Sequence, residues 1–460
     1  MTRSTHFGDD SIQATDDLLT ARAGIAPFAQ FLTNLELPKM LAHTFDGIRK
    51  ESSNSASTKD IFASILCWLM SGESRHLTSF DDLVAQNGAT ALFDVEKIPS
   101  SHALKRFFKS FHHGHEKKFR DHLASLFIRR LQAEKPKRVI LGVDSMVMDN
   151  DDAECRHGVT PTYKNKKGYL PLQMTWGNMI VDGIFRSGSR STHEFKYTRA
   201  MIKRMVRLVR ECLGADVAII IRLDAGYFDE KLLKYMDEEL NVGFVVGGKL
   251  YAGFKGDMES LPQNDINWGT YTSDQRSWKF TELGFKCKSW DKFYRAVLTQ
   301  VESRQDGALF LEFARPSSLF LTNLGMRDDL FADGTKMYED IESLIDLYQG
   351  RGAEELCHRG LKDFGFEQLP MKGFIPNLVI YHMMLLGFAS FEVFKREPLS
   401  GVVRATSYAT TVRRKVIDIA GKIVRSGRKL TLKLCRQTLN ALKFKQVWVR
   451  CFETPPLRLV

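Results

Sequence analysis

The sequence predicts a mixed α/β fold with a helical N-terminal region, a β-rich insertion and a basic C-terminal tail. Short β-branched runs alternate with amphipathic helices across residues 136–246, which is typical of a mixed sheet covered by helices. Helical spacing dominates residues 1–135, disappears across residues 247–335 and returns across residues 336–400. Residues 401–460 form the basic tail. These five ranges are the predicted domains.

The N-terminal region is predicted to be helical because its apolar residues recur every three to four positions. One such segment, Thr58–Met70, stops at Gly72, and a second helix is predicted over Ser101–Phe111. The second helix has one basic face, formed by His102, Lys105, Arg106 and Lys109. This face fits a helix-turn-helix that recognises DNA, and it also fits an ordinary helical bundle with a basic surface. Both interpretations stay open.

The α/β region is predicted from apolar strands separated by polar helices. Its predicted strands are Arg138–Val147, Tyr169–Trp176, Met179–Phe185, Asp216–Leu223 and Val242–Val246. A tight turn at Gly177-Asn178 joins the second strand to the third, so these two should pair directly. The predicted helices between the later strands are Glu194–Cys212 and Asp229–Glu239. This order of strands and helices predicts a mixed sheet.

Short strands replace the helical period in the insertion. They are predicted at Ser277–Thr281, Phe293–Val301, Ala308–Ala314 and Leu319–Thr322. Helical spacing returns at about Met337 and again over Pro376–Lys395. The tail beyond residue 400 is predicted to be helical in part, with a break at Ser426-Gly427.

The positive charge of the chain is concentrated in two segments. Of 460 residues, 66 are Lys or Arg and 55 are Asp or Glu, which gives a net charge of +11. Residues 401–452 contain 13 basic residues and one acid, Asp418, and residues 102–138 contain 11 basic and three acidic residues. Segments of this density favour a polyanion. Because the sequence has no membrane features, nucleic acid is the expected partner.

Other global features favour a cytoplasmic protein with real hydrophobic cores. Hydrophobic residues make up 43% of the chain, and no run of 18 apolar residues occurs. Ile375–Phe391 is interrupted by Asn377 and His382, so this segment is predicted to be a buried helix. Met1–Asp17 lacks the apolar stretch of a secretory signal, and the seven cysteines are dispersed without a CxxC pair. We expect reduced thiols and no membrane association.

Four residues late in the chain have the spacing of a single helical face. Tyr348, Arg351, Glu355 and Lys362 stand at offsets of 0, 3, 7 and 14. These offsets correspond to about 0°, −60°, −20° and −40° around an α-helix. A carboxylate flanked by an aromatic ring and two cations suits a helix that binds a metal and grips an anion. A solvated, charged face is the alternative.

Two aspartates lie at the ends of apolar strands. Asp144 follows Val139–Val143, and Asp224 follows Val217–Leu223. An acid at the end of a buried strand is costly unless it is paired or metal-bound, although an Asp there often caps a turn instead. With Glu355 these residues make three carboxylates, a set that can hold two Mg²⁺ ions roughly 3.5–4 Å apart.

These motifs together resemble the DDE transposases of bacterial insertion sequences. The helical face reproduces the Tyr-(2)-Arg-(3)-Glu-(6)-Lys signature of one branch, while Asp144 and Asp224–Tyr227 match the two acidic motifs. The separations of 80 residues from Asp144 to Asp224 and 131 from Asp224 to Glu355 suit an RNase H-like core with an insertion. The resemblance covers about residues 135–400.

The resemblance implies an enzyme that cleaves the ends of its element and joins them to target DNA. The three carboxylates would coordinate two Mg²⁺ ions, for which Mn²⁺ can substitute. Tyr348, Arg351 and Lys362 would hold phosphates of the element's end. The implied partners are double-stranded terminal inverted repeats, target DNA and a second copy of the chain bound to DNA. A metal-dependent nuclease without strand transfer and a catalytically silent DNA-binding regulator are the rival functions.

Several neighbouring residues compete for these roles. Asp149, Asp151 and Asp152 lie beyond the strand of Asp144 in a polar stretch, and Asp229 is expected to cap the next helix. Glu354 points about −120° from Tyr348 and so falls off the helical face. Two possible zinc sets lack a completed four-ligand spacing. They are Cys155 with His157, and His112 with His113 and His115.

Two further features have more than one interpretation. Gly350 and Gly352 lie inside the predicted helix, where they either loosen it or admit a DNA backbone closely. Trp268, Trp278 and Trp290 lie in the insertion. Since some relatives hold a flipped base with an inserted aromatic residue, these indoles are candidates for stacking on a base, but core packing is the favoured role.

Overall fold

The computed structural model describes residues 14–152, 155–189, 195–249, 267–273, 276–302, 317–326 and 340–460. The predicted strand Ala308–Ala314 lies outside the described residues. The chain divides into two compact units, residues 1–110 with 393–456 and residues 111–392 with 457–460. This division differs from the five predicted domains, which stay predictions.

The first unit begins with a short strand and a set of helices. These elements are β1 (Leu18–Thr20), α1 (Ile25–Asn34), α2 (Leu37–Thr44), α3 (Thr58–Ser71), α4 (Ser79–Ala85), α5 (Ala89–Phe93) and α6 (Ser101–Lys109). The Ser57 side chain caps α3, and the helix ends at Gly72 with φ of 64°, as its sequence predicts. α6 exposes His102, Arg106 and Lys109 on the basic face.

The second unit contains a mixed sheet with helices. Its first elements are α7 (Glu116–Glu134), β2 (Arg138–Ser145), β3 (Met148–Asp149), β4 (Thr160–Pro161), β5 (Lys167–Tyr169), β6 (Leu172–Trp176), β7 (Met179–Ile184), α8 (Phe195–Leu213), β8 (Ala218–Leu223), α9 (Glu230–Lys234) and β9 (Gly243–Gly247). Its later elements are β10 (Gly269–Ser273), β11 (Arg276–Phe285), β12 (Tyr294–Val301), β13 (Ser317–Thr322), α10 (Ile341–Gln349), α11 (Gly352–Phe364) and most of α12 (Phe374–Arg396).

Among the described residues, nine strands of this unit pair in the order β10-β11-β12-β13-β9-β8-β2-β6-β7. β8 pairs parallel with both β2 and β9, whereas the other neighbouring pairs are antiparallel. The predicted mixed sheet is therefore confirmed. The described strands of the predicted insertion continue the same sheet, because β13 pairs with β9.

Two helices support this sheet from within its own unit. α7, which the sequence assigns to the N-terminal region, contacts β7 through two 2.7 Å bonds from Arg120 to the fully buried Asp182. Among the described residues, α12 alone has the length and hydropathy of a membrane-crossing helix, but 89% of its apolar window is buried. α12 is thus the buried helix that Ile375–Phe391 predicts.

The C-terminal tail returns to the first unit and contains a hairpin. Its elements are α13 (Ala409–Val412), β14 (Gly421–Ser426), β15 (Lys429–Leu434), α14 (Arg436–Ala441) and α15 (Phe444–Glu453). The predicted break at Ser426-Gly427 is the hairpin turn, where Gly427 has φ of +60°. The two strands were not predicted, because their many Lys and Arg residues hide the strand pattern. The hairpin leaves Arg425, Arg428, Lys429 and Lys433 exposed.

Candidate active site

The ends of two parallel strands place Asp144 and Asp224 at one edge of the sheet. β2 and β8 pair with Gly142 opposite Arg222 and Val143 opposite Leu223. Because neighbouring parallel strands run in step, the residue after each of these positions emerges at the same edge. Asp224 also caps the turn that follows it, since its side chain accepts a 2.9 Å hydrogen bond from Gly226 N. The capping role and a place in the site therefore coexist.

Glu355 reaches the same edge from α11. A cleft of about 520 Å³ lies between the strand ends and this helix. Its lining includes the three predicted carboxylates, Asp144, Asp224 and Glu355, and two of the predicted phosphate-binding residues, Arg351 and Lys362. Five of the six predicted site residues thus line one cleft. The sixth, Tyr348, is not among its lining residues.

The four residues of the predicted helical face do not share one uninterrupted helix, so this part of the prediction is wrong. α10 ends at Gln349 and α11 begins at Gly352, with Arg351 as its N-cap. At the junction the Arg351 amide bonds to the Tyr348 carbonyl three residues earlier, at 3.1 Å. The Leu347 carbonyl, which a regular helix would pair with the Arg351 amide, accepts a 3.1 Å bond from Arg222 Nη1 instead.

Tyr348 packs on the sheet and supports Arg351. Its half-buried ring stacks on Phe320 at 4.8 Å between centroids, with an interplanar angle of 20°. The Arg351 guanidinium lies 6.0 Å from the Tyr348 ring centroid. Burial raises the pKa of the Tyr348 phenol. In this arrangement the Tyr348 ring packs between Phe320 and the Arg351 guanidinium and so positions the arginine.

The carboxylates repel one another, and a cation partly offsets this repulsion. The pKa of Asp144 rises to about 6, first because the group is buried and then because Asp224 lies near it, with a smaller contribution from Glu355. Arg351 lowers the pKa of Asp144, and its Nη1 lies 4.0 Å from Asp224 Oδ2. A cluster of like charges whose pKa is raised by burial is typical of a cation-binding or catalytic site.

Other cations line the helix side of the cleft. Lys362 forms an ion pair with Glu367, and Arg359 is exposed one turn after Glu355. His358 is 8% exposed, and its Nε2 has no hydrogen-bond partner among the described residues. Burial lowers the pKa of His358 to about 4, with further contributions from Lys362 and Lys164. The imidazole is therefore neutral at physiological pH.

Glu354 is buried beside the site and takes no part in the cleft. It is 2% exposed, and its Oε1 accepts a 2.7 Å bond from Arg222 Nε. A Cβ at Gly142 would lie 1.9 Å from that oxygen, so only glycine fits opposite Arg222. Arg222 also donates to the Leu347 carbonyl at 3.1 Å.

The same arginine explains a glycine of the helix junction. A Cβ at Gly350 would lie 2.5 Å from Arg222 Nη1. Gly350 therefore leaves space for the side chain of Arg222 from β8. Its lack of a side chain serves this contact within the protein. At Gly352 a Cβ would meet nothing within 4 Å, so this position has no such constraint.

The other acids near Asp144 are engaged elsewhere. Asp149 binds Lys166 at 2.6 Å, and Asp151 accepts a bond from Lys167 N at 3.2 Å. Asp152 accepts a bond from Gln368 at 3.2 Å. Asp229 caps α9 through Leu232 N at 3.0 Å, as predicted.

The acids of the cleft fit a divalent metal ion only if substrate completes its ligand shell. Within the described ranges, no group of three or more His, Cys, Asp or Glu side chains is arranged to hold a metal ion. The result applies to His112, His113 and His115, and equally to Asp144, Asp224 and Glu355. Mg²⁺ usually takes only one or two carboxylates from a protein and fills its shell with water and substrate phosphates. Pairs of carboxylates at an open cleft satisfy that requirement.

The sequence prediction missed several residues of this region. Tyr163 and Lys164 line the cleft from the turn between β4 and β5, and Arg222 holds Glu354 beneath it. The lysine-rich turn around Tyr163 and Lys164 has the pattern of a solvated loop, so its sequence did not indicate a site. For Arg222, its place within an apolar strand was the one available sign of a buried ion pair.

Of the insertion tryptophans, Trp278 and Trp290 are 4% and 8% exposed, so they serve as core. Trp268 is half-buried.

Comparison with known proteins identifies a family and a related solved structure. Residues 11–455 match the family described as transposase DDE domain group 1. No match was found among curated proteins. Among solved structures, the chain is similar to the piggyBac transposase in a cryo-EM synaptic complex with hairpin DNA. The identity is 14% and the TM-score 0.43, over 87% of this chain and 81% of that one. Because the family match spans nearly the whole sequence, this chain belongs to the DDE transposases, which are DNA-cleaving and strand-transferring enzymes.

Proposed function

We propose that this chain is a cut-and-paste transposase of a bacterial insertion sequence, in the branch with the Tyr-Arg-Glu-Lys signature. It cleaves the terminal inverted repeats of its element and joins their 3′-hydroxyl ends to target DNA. The observation that carries this proposal is the cleft in which Asp144, Asp224 and Glu355 meet Arg351 and Lys362. Three acids beside two cations suit the transfer of a phosphoryl group between DNA strands.

An RNase H-like core is the fold that we propose for the catalytic unit. In chain order the five strands β2, β6, β7, β8 and β9 lie side by side as 3-2-1-4-5. The first three form an antiparallel set, and the last two run parallel to β2. This order places the first and fourth strands next to each other, and so supports the pairing of their aspartates.

The residues of the cleft have distinct roles in the proposed reaction. Two Mg²⁺ ions held by Asp144, Asp224 and Glu355, or Mn²⁺ in their place, would activate the attacking oxygen and stabilise the leaving oxygen. The guanidinium of Arg351 presents a planar fork to a phosphate, whereas Lys362 presents a point charge. Tyr348 orients Arg351 through their contact, so we assign this residue a positioning role and no direct phosphate contact.

Double-stranded DNA is the proposed partner, and the chain would work in the cytoplasm as a homodimer that holds two element ends. Two basic surfaces of the first unit support DNA binding. They are the exposed face of α6 and the β14–β15 hairpin with its exposed Arg425, Arg428, Lys429 and Lys433. Each surface is suited to phosphate contacts, which fix register on a duplex.

A plasmid assay tests the proposed function. The purified full chain is incubated with a plasmid carrying the inverted repeats that flank its coding sequence, a target plasmid and Mg²⁺. We expect excised element and joined products, both lost in Asp224→Asn. Asp229→Asn is the matched control, because Asp229 caps α9 outside the cleft, and it should retain both products. Metal-dependent nicks without joined DNA would favour the nuclease. DNA binding without any metal-dependent product would favour the silent regulator.

A further inference from the structure

The turn between β4 and β5 lines the cleft together with α11. The two strands are paired in antiparallel register, and Thr162 closes the turn with two bonds to the Lys166 carbonyl, at 2.9 Å from its amide and 2.8 Å from its hydroxyl. Asn165 takes a left-handed conformation with φ of 57°. The backbone of the turn is thus held in place, and the side chains at its tip have defined positions.

Tyr163 stands at this tip as an exposed aromatic residue that faces the site. It is 62% exposed and lines the cleft together with Lys164. No other aromatic ring of the described residues packs on it, and its ring contact is the Lys164 ammonium, 5.8 Å from the ring centroid. A large aromatic side chain left open at a polar cleft is available to a planar ligand.

The charges on both sides of the tip show what it faces. Partial desolvation at the cleft raises the pKa of Tyr163, and Asp144, Asp224 and Glu355 raise it further. On the helix side, Lys164 contributes with Lys362 to the lowered pKa of His358. Tyr163 and Lys164 therefore line the same cleft as the three acids and His358.

A nucleobase with its attached phosphate matches this pair of side chains. A base presents a flat π-face, and stacking on an aromatic side chain tolerates any base identity. Within a duplex the faces of internal bases are covered by their neighbours, but the base at a strand end has a free face. Only an end, or a nucleotide drawn out of the helix, can therefore use Tyr163. A scissile phosphate held at the carboxylates brings such a base to the tip.

We propose that Tyr163 stacks on the base beside the reacting phosphate and that Lys164 binds the next phosphate along that strand. The proposal rests on the proposed function, because it needs DNA in the cleft. It gives the β4–β5 turn a task apart from the phosphate binding proposed for Arg351 and Lys362, which belong to α11 and its N-cap. The turn thus fixes the nucleotide whose phosphate reacts.

A binding cycle tests the stacking directly. The affinity of the full chain is measured in EDTA, where no metal supports chemistry, for a duplex that ends at the terminus of the inverted repeat. We expect Tyr163→Ala to weaken binding about 5- to 150-fold, the range for loss of one stacked base. Tyr163→Phe should bind like wild type, because the ring is kept. Tyr197→Ala is the matched control, since Tyr197 is 38% exposed on α8 and lies outside the cleft.

The same cycle is repeated with DNA that lacks the base on either side of the scissile position. If the ring stacks on one of these bases, Tyr163→Ala should cost nothing further on that abasic DNA, so the two losses are not additive. A purely structural role for Tyr163 would give equal losses on intact and abasic DNA. Lys164→Gln should lower the salt dependence of binding by about one phosphate contact, while Lys203→Gln, at an exposed position of α8 outside the cleft and outside both basic segments, serves as its control.

The outcomes separate the inference from the function on which it rests. Equal affinity of wild type and Tyr163→Ala for intact DNA, in a protein that still excises its element, overturns the stacking proposal alone. Equal losses on intact and abasic DNA overturn it as well. A wild-type chain that neither binds nor cleaves the element's ends overturns the proposed function, and that result is visible before any Tyr163 variant is made.

Discussion

Glu354 and Glu355 are neighbours in sequence whose carboxylates lie in opposite environments. Glu354 is buried at the level of Gly142 and Arg222, where its oxygen is 2.7 Å from the guanidinium. Glu355 is exposed and lines the cleft beside two aspartates that follow on the same strands. Burial with a cation makes one acid structural, whereas exposure among other acids leaves the second available for metal and substrate.

The buried pair specifies orientation more than it adds stability. Burial raises the pKa of Glu354 to about 7, although Arg222 lowers it, and Glu354 Oε2 has no hydrogen-bond partner among the described residues. Removing two charges from water costs free energy that their attraction roughly offsets. Its geometry, however, fixes which face of α11 lies on the sheet. Since successive helical residues differ by about 100°, burying Glu354 turns Glu355 toward the cleft.

The largest expected difference is catalytic, and it comes from exchanging each acid for its amide. Glu355→Gln should abolish Mg²⁺-dependent cleavage of end DNA while changing the free energy of unfolding by less than about 0.5 kcal/mol, because the side chain is exposed. Glu354→Gln should keep metal-dependent cleavage and lose stability, because Arg222 is left without a charged partner. Cleavage rates at 25 °C and thermal melting measure both effects. Loss of cleavage in the folded Glu354→Gln variant, with Glu355→Gln active, would reverse the assignment.

A smaller but still large effect is expected on stability when Arg222 is removed. Arg222→Met leaves Glu354 buried without its cation and should lower the free energy of unfolding by about 3–5 kcal/mol at pH 8. Replacing both partners by Met should restore most of this loss, because no buried charge remains. Urea unfolding measures the change.

Arg207→Met supplies the control for this experiment. Arg207 pairs with Glu211 on the exposed face of α8, so its removal should cost only about 0.3–0.5 kcal/mol. An equal loss for Arg222→Met would mean that the buried pair is no more important than a surface pair.

Local sequence patterns were sufficient to predict the strands that carry the aspartates. Asp144 and Asp224 each follow an apolar run, and such runs form β2 and β8. Spacing also placed Glu355, Arg351 and Lys362 on one side of a helix, and they do line a common cleft. These successes share a cause, since each depends on residues that are close in sequence.

The features that the sequence did not reveal depend on contacts between distant segments. The helix is interrupted where Arg222, on a strand far earlier in the chain, bonds to the Leu347 carbonyl and occupies the space of a side chain at Gly350. From spacing alone, without the contact from Arg222, Tyr348–Lys362 is predicted to be one regular helix. Likewise, the position of Tyr163 at the cleft depends on the β4–β5 turn, which brings this residue close to the strand ends that carry Asp144 and Asp224. Helical spacing alone could exclude Glu354 from the site, but it could not supply the partner that buries it.

The smallest expected effect concerns the pH dependence of the open acids. The pKa of Asp144 in the folded protein, about 6, lies above its ordinary value of 3.8. In metal-free protein this group therefore stabilises the fold most below about pH 4, and that contribution is lost as the pH rises through 6.

Asp144→Asn mimics the protonated acid, so in EDTA the variant should match wild type near pH 4 and exceed its stability at pH 8, by at most about 3 kcal/mol. Melting temperatures across this range measure the difference, and saturating Mg²⁺ should reverse it at pH 8 because only wild type gains the bound ion. Asp149→Asn is the control with the opposite sign, since the hydrogen bond from Lys166 lowers the pKa of Asp149. A pH-independent gain in Asp144→Asn would show that burial and the neighbouring acids do not raise the pKa of Asp144, and the contrast with the compensated Glu354 would then fail.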